Sequence, residues 1–321
     1  MIKLKDLVPL NLALEKQKFF ASGFSYNPQF IYEKDIEEKE LTKYGKPNFW
    51  YLFLAKRILK KYQQSAEYLS TQSITQQQFL TQEEVNKNIF THLSKYGLEE
   101  EYQIVFSENF VSRVAINLKN KEIKIALPIK ITGEEMPGIL AHEVDTHLLR
   151  QYNYEQQIWF KKKKKFGFKD YLRTEEGLAI INEMISTNQK LAYKSAMNYL
   201  AVDIALKEDF ATVFNFFYQI WQDPERAWTW TFKKKRGLAN TSQKGAYTKD
   251  IAYFEGFIKV LKYLHKHNYD PRPLYCGKID TDDVNKAEKL KNNCKIKLPI
   301  FLQNNFENHQ KKLKELYANH I

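Results

Sequence analysis

A helix-dominated α+β fold, with a small β-sheet and a helical N-terminal region, is the class this sequence predicts. Three observations point to it. Apolar residues recur at helical spacing over long stretches on both sides of residue 100. One short region, 114–127, alternates apolar and polar residues instead. No internal repeat or low-complexity linker breaks the 321 residues.

The elements follow in order. Residues 1–35 read as irregular, with Asn27-Pro28 marking a turn. From Lys43 the chain reads as helix: PNFWYLFLAKRILKKYQQSAEYL has apolar residues at helical spacing, and Pro47 suits a first helical turn. The glutamines near 76–82 form a loop or helix entry, and another helix covers 83–96. The texture changes near Gln103. Val114, Ile116 and Leu118 alternate with polar residues, as do Ile123, Ile125 and Leu127, and Lys119-Asn120-Lys121 lies between them. That is the pattern of a β-hairpin. Pro128 and Pro137 bracket a loop, and a helix opening near Pro137 carries GILAHEVDTHLLRQYN. Further helices are expected at 175–200, 205–222, 249–268 and 305–319. The chain divides on this reading into a helical region, 1–85, packed on a catalytic part, 86–321.

Composition narrows the function classes. A hydrophobic fraction of 43%, with 22 Phe and 20 Tyr, excludes a wholly disordered chain. Two cysteines, Cys276 and Cys294, exclude a disulfide framework and a Cys-rich zinc site; Cys276 reads as a small buried hydrophobe in a reduced compartment. No stretch reaches the roughly 18 apolar residues that span a bilayer. The N-terminal apolar run is interrupted at Glu15 and reads as a cytoplasmic start, not a signal peptide. The net charge of +12 points to acidic partners: nucleic acid, an anionic surface or an acidic protein tail.

The strongest chemical signal is His142-Glu143-Val144-Asp145-Thr146-His147. Two histidines and an intervening glutamate on one helix are the materials of a zinc hydrolase. Glu143 follows the first histidine directly, as in the metalloprotease pattern H-E-x-x-H. The histidines are five apart here, not four. On a straight α-helix they would diverge by roughly 140°. One ion can take both only if the turn is widened, and a π-bulge with i→i+5 bonding does that. A one-residue bulge between His142 and His147 is therefore expected. A third ligand is sought in Arg173-Thr174-Glu175-Glu176-Gly177-Leu178-Ala179. Thr174 suits a helix cap. Two carboxylates opening an apolar helix are costly unless exposed, paired or metal-bound. Glu176 shares a face with Ile180 and Glu183, which makes it the inward-facing candidate, and Glu183 is placed to orient a histidine.

Taken together, His142-Glu143-x-x-x-His147 and Thr174–Ala179 resemble the microtubule-associated tyrosine carboxypeptidases and their bacterial relatives named for a Gln-Glu-Gly-Leu-Ala motif. Further stretches agree: Asn27–Tyr32, Lys235–Leu238, Thr241–Gln243, Tyr247–Asp250 and Tyr275–Ile279. The likeness runs from about residue 25 to 280. It implies a zincin-like metallopeptidase binding one Zn2+ ion through His142, His147 and Glu176, with Glu143 as general base. This chain has Glu175 where the bacterial motif name has Gln, so Glu175 stands as the alternative to Glu176 for the metal and otherwise as a carboxylate supporting the ligands. The Lys161–Lys165 run and Asp145 have no counterpart in that pattern.

The resemblance makes the expected activity a carboxypeptidase removing a C-terminal aromatic residue, such as tyrosine, from a peptide or protein. The oxyanion needs a donor; Tyr247, Tyr253 and Arg236 are candidates. The terminal carboxylate needs a cation; Arg236 and Lys249 are candidates, whereas Lys233 and Lys234 read as a solvated face. Trp228 and Trp230 read as core. The hairpin edge suits an extended peptide. The rivals are a basic nucleic-acid-binding protein, for which no recognition motif is found, and a catalytically inactive scaffold, against which Glu143 stands.

Overall fold

A computed structural model describes residues 2–66, 68, 78–110, 112–291 and 295–321. The chain forms two compact units, each built from two segments. The first is Met1–Thr75 with Tyr193–Phe254, and the second is Gln76–Ala192 with Glu255–Ile321. The expected division of 1–85 from 86–321 differs from this: the helices between 193 and 254 pack with the N-terminal segment. Linear composition carries no mark of that return.

The first unit is helical, with an aromatic core. The helix Leu12–Ala21 lies inside the stretch expected to be irregular. Its only buried residues are Glu15 and Phe19, so its face was too sparse to read from spacing. Phe19 packs against Phe210, Phe214 and Trp228, with ring centroids 4.8–5.2 Å apart. Such edge and tilted aromatic pairs add to plain burial. The next long helix, Phe49–Gln63, starts later than Lys43 because Asn48 caps it, accepting from the Trp50 amide. Tyr62 of that helix stacks on Tyr193 at 3.6 Å. Trp228 is buried here, as expected.

Three of the family-like stretches, Asn27–Tyr32, Lys235–Leu238 and Thr241–Gln243, meet in this unit. Phe30 N–H donates to Ala239 O at 2.7 Å, Thr241 Oγ1 donates to Pro28 O at 2.8 Å, and Gly237 N–H donates to Tyr32 OH at 2.7 Å. Asn27 bridges to Asp209, whose side chain caps the helix Phe210–Trp221. Asn27–Tyr32 and Arg236–Thr241 are thus two halves of one structural joint, not separate sites.

The second unit carries the sheet. Strands β1 (Gln103–Ser107), β2 (Val114–Asn117) and β3 (Glu122–Ala126) run in the order β1-β3-β2. The hairpin is present, with Ile116 opposite Ile123. β1 adds a parallel partner to β3 that the alternation did not announce. The helix Gln82–Ser94 opens on a Thr81–Glu84 capping box. The predicted 175–200 helix is two, Leu172–Ser186 and Tyr193–Ala205. Asn188 takes a left-handed conformation, φ 54°, and ends the first. Cys276 is buried; Cys294 lies outside the described residues. No helix among the described residues is long and apolar enough to cross a membrane.

Candidate metal centre

The motif helix has three parts: an α-helical start, Met136–His142, a π-helical turn, Glu143–Leu148, and an α-helical end, Leu149–Glu155. The widened turn is seen in its bonds. Leu149 N–H reaches Val144 O, five residues back, and Thr146 Oγ1 donates to Ala141 O, also five back, at 2.8 Å. The expected bulge is therefore present, and it brings the His142 and His147 rings to 5.0 Å between centroids.

Glu176 lies just past the first turn of Leu172–Ser186. That helix starts two residues earlier than Thr174, which is buried and donates to Asp280 Oδ2 at 2.9 Å instead of capping. Glu176 Oε2 stands 3.9 Å from His142 Nε2 and 3.7 Å from His147 Nε2. One donor atom from each of the three residues lies within 4.8 Å of the others. Donors at about 2.0–2.1 Å from a tetrahedral zinc are about 3.3 Å apart, so a small contraction would seat an ion.

The other ring nitrogens are occupied. His142 Nδ1 meets Glu183 Oε2 at 3.0 Å, and His147 Nδ1 meets Glu175 Oε1 at 2.9 Å. With the proton on Nδ1, both rings present an Nε2 lone pair toward Glu176, the tautomer a metal requires. The charge balance also fits a cation. Burial pulls His142 down, but its Glu183 bond and the charges of Glu143, Glu183 and Glu176 hold it up to about 9. A divalent ion can supply the positive charge that those carboxylates draw. Burial pushes the Glu143 carboxyl upward against the pull of His147 and His142. Such a shift suits a proton acceptor working nearer neutral pH.

Glu175 is held from several sides. Lys278 Nζ donates to its Oε1 at 2.8 Å, and Arg150 Nη1 donates to its Oε2. Burial would raise this carboxyl; Lys278, Arg150 and the His147 bond together hold it well below the usual range. Asp145 is also buried, and its Oδ1 accepts from Tyr96 OH at 2.6 Å and contacts His92 Nε2 at 2.7 Å. It ties the π-turn to the helix Gln82–Ser94. Asn182 Nδ2 ties the same turn to its neighbour helix through Thr146 Oγ1 at 2.8 Å. Sequence reading missed Arg150 and Lys278. The signal was an arginine three residues after His147, on a helix otherwise bound for the core.

The candidates for holding substrate, Arg236, Tyr247, Lys249 and Tyr253, belong to the other unit. Tyr247 is 4% exposed and packs with Leu7 and Leu41, and the Arg236 guanidinium lies 4.8 Å over its ring. Its hydroxyl is thus a core group and not open to a substrate. Lys249 and Tyr253 are half-buried, with the ammonium 5.5 Å over the ring. The solvated face expected for Lys234 is a correction: it is buried and ion-paired with Asp250. Lys235 is buried too and donates to three carbonyls, of Ala205, Glu208 and Gln243.

The chain's likeness to known proteins bears on this geometry. The family model for the microtubule-associated tyrosine carboxypeptidases matches residues 40–319. Microtubule-associated tyrosine carboxypeptidase 1 of Mus musculus is 27% identical over 317 residues, covering 97% of this chain and 67% of that protein. The Rattus norvegicus protein of that name is 28% identical over 304 residues, covering 92% and 64%. The Homo sapiens one is 27% identical with the same coverage. This chain spans about two thirds of the length of those relatives.

Proposed function

The chain belongs to the microtubule-associated tyrosine carboxypeptidase family, and we propose that it is a zinc-dependent, cytoplasmic carboxypeptidase. Its substrate on this reading is a peptide or protein C-terminus, of acidic character, ending in an aromatic residue such as tyrosine. The observation that carries the proposal is the π-turn, which turns His142 and His147 to one carboxylate, Glu176.

His142, His147 and Glu176 would hold one Zn2+ ion, which when bound supplies Lewis acidity and makes a water acidic near pH 7. Glu143 then accepts a proton from the attacking water. As the peptide C–N bond breaks, the same carboxyl returns that proton to the leaving amine, and the remaining chain ends in a new carboxylate. Glu175 and Glu183 keep the two imidazoles in one tautomer through the whole cycle. β2 is an edge strand that packs beside the π-turn, and an extended peptide can add to it. Arg236 would receive the substrate's terminal carboxylate; what supports this is its place in the family-like stretch Lys235–Leu238 and the bidentate fit of a guanidinium to a carboxylate. Lys249 is its companion in that role, and Tyr253 would donate to the oxyanion.

The test is direct. The purified protein should carry one zinc per chain, His142→Ala should lose it, and Glu143→Gln should keep it. Glu143→Gln should lower kcat on a peptide library with varied C-termini by about 10²–10⁴-fold. Release of C-terminal tyrosine or phenylalanine supports the reading. Zinc binding without hydrolysis would make the chain a scaffold, and absence of zinc would end the proposal.

A further inference from the structure

Three charged side chains meet behind His147 in a place with little contact with water. Arg150, Glu175 and Lys278 are 0%, 3% and 7% exposed. Burying charges is expensive, and replacing such a group with well-packed apolar residues is often neutral or stabilising. Their retention here therefore needs a reason other than stability.

The hydrogen bonds supply one. Arg150 stands on the motif helix, one turn beyond His147. Its Nε donates to Leu274 O at 3.0 Å and its Nη2 to Ile279 O at 2.7 Å, which fixes the plane of the guanidinium. Its Nη1 donates to Glu175 Oε2. Lys278 Nζ donates at 2.8 Å to Glu175 Oε1, the same oxygen that meets His147 Nδ1 at 2.9 Å. One carboxylate is thus gripped at both oxygens, and the one it offers to the imidazole has no freedom to swing.

The chain that delivers Lys278 is itself anchored. Gly277 has φ 147°, and a Cβ there would lie 3.3 Å from Tyr154 Cα, so both its conformation and its surroundings oppose a side chain. Lys163 donates to Lys278 O, and its ammonium sits 3.4 Å over the Tyr171 ring and 4.7 Å over Tyr154. This accounts for one member of the Lys161–Lys165 run: it braces the segment that holds Glu175. His142 is treated differently. Its carboxylate, Glu183, has a side chain 33% exposed, in contact with water, against 4% for Glu175.

We infer that Arg150 and Lys278 are positioning residues, which act through Glu175 to fix the orientation and tautomer of His147 for a metal ion. The two cations cancel the carboxylate's burial cost, and the carboxylate in turn directs His147 Nε2 to the site. His147 is then the rigid ligand and His142 the adaptable one. This rests on the metal-binding reading above.

The experiment measures zinc affinity by competition with a chromophoric chelator, and records the visible spectrum of the Co2+-substituted protein. Lys278→Met and Arg150→Met should each weaken zinc by about 10- to 100-fold and alter the Co2+ bands, with Glu175→Gln similar. Arg150→Lys should restore only part of the affinity, because it keeps the charge and loses the fork. Glu183→Gln should have the smaller effect. Should Arg150→Met not fold, Lys278→Met decides, since its stem remains. Folded Lys278→Met and Glu175→Gln proteins with wild-type affinity and spectrum would overturn the inference while His142→Ala still abolished binding. If His142→Ala also bound zinc normally, the metal centre itself would be refuted.

Discussion

Arg236 and His309 show how far a single residue can be read. Arg236 packs over Tyr247 and keeps an Nε with no hydrogen-bond partner among the described residues. If it receives the substrate's carboxylate, Arg236→Ala should lower kcat/KM by roughly 10- to 100-fold, mostly through KM, on the scale of a charged hydrogen bond. Blocking the substrate's C-terminus as an amide should erase the difference between variant and wild type. His309 is 3% exposed, stacks on Phe301 at 4.8 Å, and neither ring nitrogen has a partner among the described residues. Burial, with a smaller push from Lys312, lowers it to about 4. Above its ordinary value of about 6.5 both folded and unfolded states are neutral. Below that the unfolded chain takes a proton that the folded one refuses, so stability falls as pH falls from about 6.5 to 4. The slope is about 1.4 kcal/mol per pH unit, and the total loss about 3 kcal/mol. Urea denaturation at pH 7 and pH 5 should show a smaller loss for His309→Phe than for wild type. At this scale the meeting of His142, His147 and Glu176 was legible, because residue types of that kind at such spacing are local and rare. Arg150 and Lys278 were not, since only folding brings residues 128 positions apart in number onto one carboxylate.

Among the elements, the π-turn is the one that spacing announced: two candidate ligands five apart cannot share a face of an α-helix. What holds it open was invisible in the sequence. Thr146 caps the turn from within, Asn182 supports Thr146, and Asp145 ties the turn to His92 and Tyr96. The glycine of the Glu-Gly-Leu-Ala stretch has a similarly tertiary cause. A Cβ at Gly177 would lie 2.2 Å from the Gly256 carbonyl, on the helix Asp250–Lys266, and one at Gly256 would lie 2.0 Å from Arg173 O. The two helices cross there backbone to backbone. Gly177→Ala should therefore cost about 3 kcal/mol or more, the range of severe overpacking, even though alanine is the better helix former. Thermal melts would show it, and an unchanged Tm would mean that the crossing is looser than the distances say. Thr174 and the helix Leu12–Ala21 mark the limit of pattern reading. In both, a few long-range contacts outweighed weak local signals.

For the whole molecule, the charge of +12 is the feature with most reach. Burial does not account for it: among the described residues, Arg150, Lys234, Lys235 and Lys278 are buried, but so are Glu15, Asp145, Glu175, Glu176, Asp280 and Asp283, so the positive excess lies on the less buried residues. That excess should draw acidic substrates. The screening length shrinks from about 30 Å at 0.01 M salt to about 3 Å at 1 M. KM for an acidic peptide should therefore rise across that range while a neutral peptide's stays nearly flat. Equal responses would leave the charge without a role in catalysis.

The sequence by itself determined the helix-dominated class, the hairpin, the pair of histidines with their glutamate, and the need for a widened turn. These depend on residue type and on spacings within a few turns of chain, which local geometry translates directly. Only the tertiary structure decided that residues 193–254 join the N-terminal segment, that Tyr247 and Lys234 are core, and that Glu175 is clamped by Arg150 and Lys278. Those outcomes depend on which distant surfaces exclude water together. Burial and charge compensation are properties of the assembled interior, and no window of sequence contains them.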